Sequence, residues 1–349
     1  MSLFVCGLRR SGTTILYDAL REDPELRCFY EPLREGEVTV GGGSGAREED
    51  AFAETRELRR RFRDERHPEL PIEEFNWGGP RAPELELEPD LPDHCAGFVR
   101  HLLDLAPEVA IKETRLHHKL ATIAAIAPDA ALIHLVRDPR AVCASMLLGR
   151  RGRVDLYPDA DAFFTVRTRR RLWSSRAISE LLVERLRSLS LPPDLPDFLR
   201  PLLVWKNAFE TANGDGRRLF GDRYALVRLE DLRADPASEL GRVYVASGRS
   251  APPAVAEWAT ANVRRDEPIL HGDDPRWARA ARLLGMEEAL ARGGYAEILA
   301  LEPEGGPPLD IHPPPAPSRL SAMLGRAQGR LAERRGERPR RHRGDPGAR

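Results

Sequence analysis

The stretch SLFVCGLRRSGTTILYDALR, residues 2–21, decides the fold of this protein. It joins an apolar run at residues 3–5, a glycine-bounded loop at residues 7–12 and a helical segment opened by Thr13 and Thr14. The apolar run predicts a buried strand, and the glycines let the loop backbone come close to a ligand. Inward N–H groups and the positive end of the helix dipole make such a loop a cradle for an anion.

The spacing of this loop matches the P-loop of nucleoside-triphosphate enzymes except at one position, because Thr13 stands where that motif has its lysine. Such enzymes place the lysine on the β- and γ-phosphates, whereas the cations here, Arg9 and Arg10, lie earlier in the loop. The loop therefore suits a shorter anion on the 5′ side of a nucleotide. A glycine-serine turn without chemical meaning is disfavoured, because strand, loop and helix follow in the order that the motif requires.

Composition places the 349 residues among soluble globular proteins with one main domain, since 41% are apolar and 31% are charged. No apolar run approaches the roughly 20 residues of a membrane span, and the first strand begins at Ser2, so we expect no signal peptide and a cytoplasmic protein. The cysteines show no C-x-x-C spacing and predict buried thiols without a disulfide or zinc framework. They are Cys6, Cys28, Cys95 and Cys143.

Charge is distributed unevenly along the chain. Residues 318–349 carry ten arginines against three acidic residues, a net charge of +7, which leaves −8 for residues 1–317. We expect the Pro- and Arg-rich residues 303–349 to form a disordered tail. A weak amphipathic helix in this tail could contact a membrane surface, although a solvated tail is favoured. Nucleic acid is not expected as a partner, because no aromatic residues are interleaved with the arginines.

Apolar runs alternate with helical segments, which predicts an α/β fold of the P-loop-like, three-layer type with a central parallel sheet of about five strands and helices on both faces. Expected strands cover residues 2–6, 26–30, 109–111, 131–136 and 224–228. The main expected helices cover residues 49–66, 95–105, 117–126, 160–189 and 198–213. Residues 34–93 interrupt the alternation with a glycine run, a charged helix and a Pro- and Glu-rich stretch. We interpret them as an insertion that forms a lid over the sheet and is in part disordered.

Charged side chains stand at the ends of three expected strands. Proline at position 32 keeps Glu31 extended at the end of the second strand, Lys112 follows the third, and Arg137 follows the fourth. Ligands of open α/β sheets bind outside the carboxyl ends of the strands. We therefore expect these residues on the same side of the sheet as the glycine loop.

The segment after the fourth strand predicts a capped helix and an anion contact. Asp138 can cap this helix, and Pro139 takes its first position, where the missing N–H costs nothing. Ser145 lies about two turns further along the same face. Its hydroxyl can therefore share an anion with Arg137.

With these motifs placed, the chain resembles sulfotransferases that use 3′-phosphoadenosine 5′-phosphosulfate (PAPS). The likeness rests on GLRRSGTT at residues 7–14, LVRDPRAVCAS at residues 135–145 and YALVRLEDLRADP at residues 224–236. FYEPL at residues 29–33 and IKETRL at residues 111–116 further resemble the carbohydrate sulfotransferase branch.

The resemblance implies a role for each matched residue. In these enzymes the glycine loop holds the 5′-phosphosulfate, and an arginine–serine pair binds the 3′-phosphate, which ATP lacks. The loop residues in this role are Arg10, Ser11, Gly12, Thr13 and Thr14, with Arg9 as a helper, and the pair is Arg137 and Ser145. Residues 1–302 would then be the catalytic domain, and the insertion at residues 34–93 a candidate for binding the acceptor.

The resemblance also implies the reaction, in which an acceptor hydroxyl or amine attacks sulfur and 3′-phosphoadenosine 5′-phosphate (PAP) leaves. Arg10 and Lys112 are the candidates for stabilising the bridging oxygen. The sulfo group carries less charge than a phosphoryl group, so arginine, lysine and backbone N–H groups can replace a metal ion. We therefore expect that no metal is required.

The general base is expected to be a carboxylate. Cytosolic small-molecule sulfotransferases place a histidine where this chain has Thr114, whereas glycan-modifying relatives place a glutamate just after the second strand. Glu31 fits the latter position and is the expected base, with Glu113 and His117 in reserve.

Two other functions stay open. A P-loop kinase using ATP is disfavoured, because Thr13 replaces its lysine and Arg137 occupies the end of the fourth strand, where an acidic metal ligand is needed. A catalytically inactive protein that binds a nucleotide or a glycan is the second. The local likeness favours a sugar-like hydroxyl as acceptor, while the sequence indicates neither the acceptor's identity nor the oligomeric state.

Overall fold

The structure is a computed structural model that describes residues 2–34, 46–75, 83–149, 157–168, 175–186, 191–192, 194–263 and 268–303, with residues 189, 305, 307 and 309–311. Met1–Ile311 forms one compact unit. Residues 312–349, and with them most of the expected tail and its weak helix, lie outside the described residues. The glycine run expected within the insertion also lies outside them.

Within the described residues, five parallel strands form one central sheet, which confirms the predicted fold class. They are β1 (Ser2–Cys6), β2 (Arg27–Tyr30), β3 (Val109–Glu113), β4 (Ala131–Val136) and β5 (Tyr224–Arg228). Their order across the sheet is β2-β3-β1-β4-β5. The residues of β3 and β4 are buried throughout, as expected for parallel strands that are covered by helices on both faces.

The helices connect the strands and complete the layers around the sheet. They are α1 (Thr13–Leu20), α2 (Ala46–Arg66), α3 (Pro83–Leu87), α4 (Asp93–Leu103), α5 (Leu120–Ile126), α6 (Pro139–Leu148), α7 (Ala160–Thr165), α8 (Ser175–Arg185), α9 (Leu199–Phe220), α10 (Leu229–Ala234), α11 (Pro236–Ala246), α12 (Pro253–Asn262), α13 (Arg276–Leu283) and α14 (Glu287–Gly293). Short 3₁₀ turns cover Ile72–Phe75, Gly221–Arg223 and Ala296–Leu301.

The strand order reverses around β1, and this reversal determines where a ligand can bind. Phe4 of β1 pairs with Ile111 of β3 on one side and with Leu132 of β4 on the other. After β1 the chain forms β2 at one edge, fills the place between β2 and β1 with β3, and then adds β4 and β5 on the other side of β1. The connections therefore diverge beyond the carboxyl end of β1 and leave a crevice there. The glycine loop, which follows β1 directly, lies at this crevice.

Two glycines let the loop between β1 and α1 pack closely against its neighbours. Gly12 has a φ of 93°, and a Cβ at this position would lie 2.7 Å from Leu229 Cδ1. At Gly7 a Cβ would lie 2.5 Å from the carbonyl oxygen of Leu135. Both positions therefore require glycine, Gly12 for its left-handed backbone as well as for the space.

The third strand is longer than expected. It was predicted to end at residue 111, but Lys112 and Glu113 pair with Val5 and Cys6 of β1. Charged residues were expected to end the strand, yet ladder hydrogen bonds depend on the backbone and not on the side chain. Both charged side chains therefore lie on the rigid sheet.

The prediction of one long helix over residues 160–189 is wrong. Within the described residues there are two helices instead, α7 and α8. Val166 turns extended after α7, with a ψ of 136°, and the N–H of Thr168 donates to the carboxylate of Asp197 at 2.9 Å. A tertiary contact thus ends the helix, which the apolar pattern alone cannot show. The helix expected to end at residue 213 continues to Phe220, and the one expected from residue 117 begins at Leu120.

The described part of the insertion packs on α4. Phe62 of α2 lies with its ring centroid 6.1 Å from that of Phe75 and 5.5 Å from that of Phe98. Cys6, Cys95 and Cys143 are free and buried, as expected, while the free Cys28 is half-buried. None of the described helices is both long and apolar enough to cross a membrane.

Candidate active site

Arg10, Arg137 and Ser145 form one group beside the glycine loop, and we call it the arginine–serine group. Arg10 Nε donates to Ser145 Oγ at 2.7 Å, and Arg137 Nη1 donates to the carbonyl oxygen of Arg10 at 3.2 Å. Arg10 has a φ of 73°, a strained backbone for a residue with a Cβ, which the surrounding contacts must hold. The structure thus brings together residues that lie 135 positions apart in the sequence.

The other loop residues present their backbone more than their side chains. Ser11 is 1% exposed and Thr13 is 4% exposed. Ser11 lines a small cavity together with His117 and His134 among others, and no described group hydrogen-bonds to its Oγ. The Thr14 hydroxyl is 2.9 Å from the hydroxyl of a tyrosine in β2. The N–H of Ser11 donates to the carbonyl oxygen of Leu8 at 3.1 Å, so an anion at the loop would meet the N–H of Thr13 at the start of α1 before it met either hydroxyl.

The backbone that carries Arg137 is held from two sides. Asp138 caps α6 as predicted, since its carboxylate accepts the N–H of Arg140 at 2.8 Å. The Asp138 N–H donates to Glu230 of α10 at 2.9 Å, and Trp205 Nε1 donates to the Arg137 carbonyl oxygen at 3.0 Å. These contacts fix the start of α6 and with it the spacing between Arg137 and the helix face that follows.

Lys112 and Glu31 form a second charged group, the lysine–glutamate pair, at the carboxyl ends of β3 and β2. Lys112 Nζ donates to Glu31 Oε1, and their side chains are 1% and 11% exposed. The ammonium also lies 4.0 Å from the ring centroid of Tyr30, and Thr114 Oγ1 donates to Glu31 Oε1 at 3.4 Å. Two residues that were expected to act on different atoms are thus direct partners.

The pair stabilises both of its charges. Burial alone raises the pKa of Glu31, but Lys112, followed by Arg34, outweighs burial and holds this pKa well below its usual range. Burial likewise lowers the pKa of Lys112, and the Glu31 carboxylate raises it above the ordinary value. Both groups are therefore charged at neutral pH. While the pair is intact, Glu31 is a weak proton acceptor.

The turn that carries Glu31 is strained and is held by two buried side chains. The prediction that Pro32 keeps Glu31 extended is wrong, because Glu31 has a φ of 43°, in the left-handed region. Glu113 accepts the N–H of Leu33 at 3.3 Å, and Arg59 of α2 donates to the carbonyl oxygen of Arg34 at 2.8 Å. A strained backbone persists only when its surroundings over-determine it, and here both ends of the turn are fixed.

The two reserve bases, Glu113 and His117, lie in the interior. Glu113 is 1% exposed, both of its oxygens accept backbone N–H groups, and burial with the nearby Glu31 carboxylate raises its pKa to about 7. His117 is 2% exposed, and burial lowers its pKa well below the ordinary value. Glu31 is the most exposed of the three candidates and the best placed to meet an acceptor.

Two buried residues of the insertion, Arg59 and Glu86, were missed by the sequence reasoning. They are 5% and 3% exposed. Arg59 supports the Glu31 turn. Glu86 lies near Arg9 of the loop: burial lowers the pKa of Arg9, and the Glu86 carboxylate offsets part of this decrease. The insertion is so rich in charged residues that no pattern in it distinguishes the charges that turn inward from those that face water.

A parallel α/β sheet with a glycine loop at the point where its strand order reverses defines a P-loop-like protein. Residues 2–152 match the model of the Sulfotransferase family. The matched stretch contains the loop, the lysine–glutamate pair and the arginine–serine group, and it ends before β5. A comparison with curated proteins found no match.

Solved sulfotransferase structures are similar to the chain at low identity. The sulfotransferase domain of the Synechococcus PCC 7002 olefin synthase is 17% identical, with 97% of this chain and 96% of that chain covered and a TM-score of 0.37. A sulfotransferase from Mycobacterium avium is 15% identical, with 83% of this chain and 76% of that chain covered and a TM-score of 0.42. A mouse sulfotransferase solved in complex with PAP is 14% identical, with 86% of this chain and 88% of that chain covered and a TM-score of 0.38. At such TM-scores these likenesses carry no weight for the site.

Proposed function

We propose that this protein is a sulfotransferase that moves the sulfo group of PAPS to a hydroxyl or amine of a carbohydrate-like or small-molecule acceptor. The observation that carries the proposal is the presence, at one edge of the sheet, of both the arginine–serine group and the lysine–glutamate pair. The family match over residues 2–152 supports sulfate transfer.

The arginine–serine group suits the phosphates of the nucleotide. Arginine binds phosphate through charge-assisted, fork-shaped hydrogen bonds, and a serine hydroxyl adds another donor, so Arg137 and Ser145 suit the 3′-phosphate. The loop N–H groups and the N-terminus of α1 suit the 5′-phosphosulfate. Arg10 serves both ends, since its backbone belongs to the loop and its side chain reaches Ser145.

The lysine–glutamate pair suits the transfer itself. The acceptor oxygen or nitrogen attacks sulfur, the bond from sulfur to the bridging oxygen breaks, and its electron pair leaves with PAP. Glu31 takes the acceptor proton, a contribution of about 10²- to 10⁴-fold. Lys112 and Arg10 stabilise the charge on the leaving oxygen, and the loss of one such donor costs about 3 to 4 kcal/mol in the transition state.

The contact between Lys112 and Glu31 couples these two roles. As long as the ammonium is paired with Glu31, the pKa of this carboxyl is low and the base is weak. When Lys112 turns to the leaving oxygen, Glu31 loses its main stabilising charge, and its pKa rises toward that of an effective base. Leaving-group stabilisation and base activation then occur together.

The proposed reaction requires no metal ion. Among the described residues, no three histidine, cysteine, aspartate or glutamate side chains are grouped to hold one. We propose that positively charged side chains of the protein take the place of the metal ion. Full activity in excess EDTA is expected, and a loss of activity that magnesium restores would refute this part.

Calorimetry and a transfer assay test the proposal together. PAP is expected to bind roughly 10- to 100-fold more tightly than AMP or ATP, because a charged hydrogen bond to the additional phosphate contributes about 1.5 to 3 kcal/mol. Labelled PAPS is then incubated with acceptor extracts, and the labelled product is identified by mass spectrometry. Preferential binding of ATP would indicate a kinase. PAP binding without any transfer would indicate an inactive binding protein.

A further inference from the structure

Glu86 of α3 is a buried carboxylate with an oxygen that lacks a donor. It is 3% exposed, and no described group hydrogen-bonds to its Oε2. Burying such an oxygen without a partner is unfavourable, and nearly all buried polar groups of folded proteins have one. An exception at the edge of a candidate active site indicates a donor that arrives with a ligand.

The segment around this carboxylate is firmly held. Lys119, which is fully buried, donates from Nζ to the carbonyl oxygens of Leu85 at 2.6 Å and of Glu88. Its ammonium thus satisfies carbonyls at the end of α3. Leu87 is 4% exposed and belongs to the same apolar cluster as Leu8 of the glycine loop. The position of α3 is therefore set by the core that also supports the loop.

Arg9 links this carboxylate to the lysine–glutamate pair. Burial and the nearby Arg115 lower the pKa of Arg9, while the carboxylates of Glu86 and Glu31 raise it. One guanidinium thus lies close to both carboxylates.

We infer that Glu86 recognises the acceptor, with Oε2 accepting a hydrogen bond from a second hydroxyl or an ammonium group that lies next to the reacting one. This inference rests on the proposed sulfo transfer. Polyols and amino sugars carry such a second donor, whereas a simple alcohol or phenol does not. The insertion therefore selects for acceptors with neighbouring polar groups.

Three sugars that differ at one carbon test the inference. Sulfo transfer from labelled PAPS to glucosamine, glucose and 2-deoxyglucose is measured with the full chain, its Glu86→Gln variant and Glu84→Gln. Glu84 lies exposed on the same short helix and serves as the matched control. The wild-type protein is expected to prefer glucosamine or glucose to 2-deoxyglucose by roughly tenfold or more in kcat/KM, because a site built for a donor rejects an analogue that lacks it.

Glu86→Gln is expected to remove most of this preference through a higher KM for the favoured sugar, with kcat for 2-deoxyglucose unchanged. Whether glucosamine or glucose is favoured shows which donor the carboxylate takes. Equal use of the three sugars by the wild-type protein, no transfer to any of them, or an equal loss on all three in Glu86→Gln would overturn the inference. PAP affinity is measured in parallel, because a wild-type protein that fails to bind PAP would overturn the proposed function together with the inference.

Discussion

The arginine–serine group and the lysine–glutamate pair lie at the same edge of the sheet but differ in the groups that they combine. The first combines two guanidinium groups with an alcohol. The second balances a cation against an anion in nearly complete burial. Guanidinium groups and a hydroxyl are suited to bind phosphate, whereas a buried pair of opposite charges becomes reactive only when its partners separate. Substitutions in the first should therefore change nucleotide affinity, and substitutions in the second should change turnover.

The largest effect is expected for Glu31→Gln. Removal of the base should lower kcat by about 10²- to 10⁴-fold and leave PAP affinity nearly unchanged. Labelled sulfate transfer and calorimetry measure the two quantities. Glu25→Gln, two residues before the start of β2 and 77% exposed, is the control and should behave like the wild type. A kcat within a few-fold of the wild-type value would remove Glu31 from the reaction.

Lys112→Met should reduce turnover by about 10²- to 10³-fold, since it removes a donor to the leaving oxygen. It should also lower the free energy of unfolding by about 3 to 5 kcal/mol, because Glu31 is left buried without its partner. Adding Glu31→Gln to this variant should restore part of the stability but none of the turnover. Denaturant unfolding checks this result.

Lys206→Met is the matched control for the stability of the pair. Lys206 pairs with the half-exposed Glu210, 43% accessible, and the loss of such a surface pair changes stability by less than about 1 kcal/mol. If both lysine variants lowered the free energy of unfolding by the same amount, the pair of Lys112 and Glu31 would contribute no more to stability than a surface ion pair.

Arg137→Ala should weaken PAP binding by roughly 10- to 100-fold and leave AMP binding almost unchanged, because only PAP carries a 3′-phosphate. Calorimetry with both nucleotides gives the ratio. Arg218→Ala, on α9 with its side chain 63% exposed, controls for loss of net charge. An equal loss for PAP and AMP would show that Arg137 supports the loop through the Arg10 carbonyl and does not recognise the 3′-phosphate.

The smallest effect is expected for Glu113→Gln and concerns pH. The pKa of Glu113 is raised from an ordinary value of 4.5 to about 7, so the folded protein holds a proton there that the unfolded chain has lost. Wild-type stability should therefore fall as the pH rises through this window. Glu113→Gln has no such proton to lose, so its deficit in the free energy of unfolding relative to the wild type should shrink by about 1 kcal/mol between pH 6 and pH 8. Glu69→Gln, 66% exposed, should show no such trend in denaturant unfolding.

Much of the fold was predictable because its signals are local. The apolar runs of β1, β4 and β5 appear in the sequence with the bounds that the structure gives them. The cap at Asp138 was equally evident, since a capping side chain and the helix that it caps are neighbours. Where a distant residue determines an element, as Asp197 does at the end of α7, the same reasoning failed.

The candidate site was predictable in its members but not in their partners. Parallel strands bring their carboxyl ends to one edge, so Glu31, Lys112 and Arg137 could be grouped from the sequence. That Lys112 pairs with Glu31, and that Arg10 reaches Ser145, depends on side-chain directions across the crevice. The roles assigned to these residues stay predictions.

The sequence by itself determined where the strands lie along the chain, the glycine loop and the charged residues that follow the strands, because each depends on neighbours in the chain. Only the tertiary structure decided the protonation of the carboxylates. Glu31 and Glu113 have similar ordinary pKa values, yet a buried ammonium lowers one and burial beside a like charge raises the other. It also turned Glu86 inward, since burial is a property of packing between distant segments and not of the residue itself.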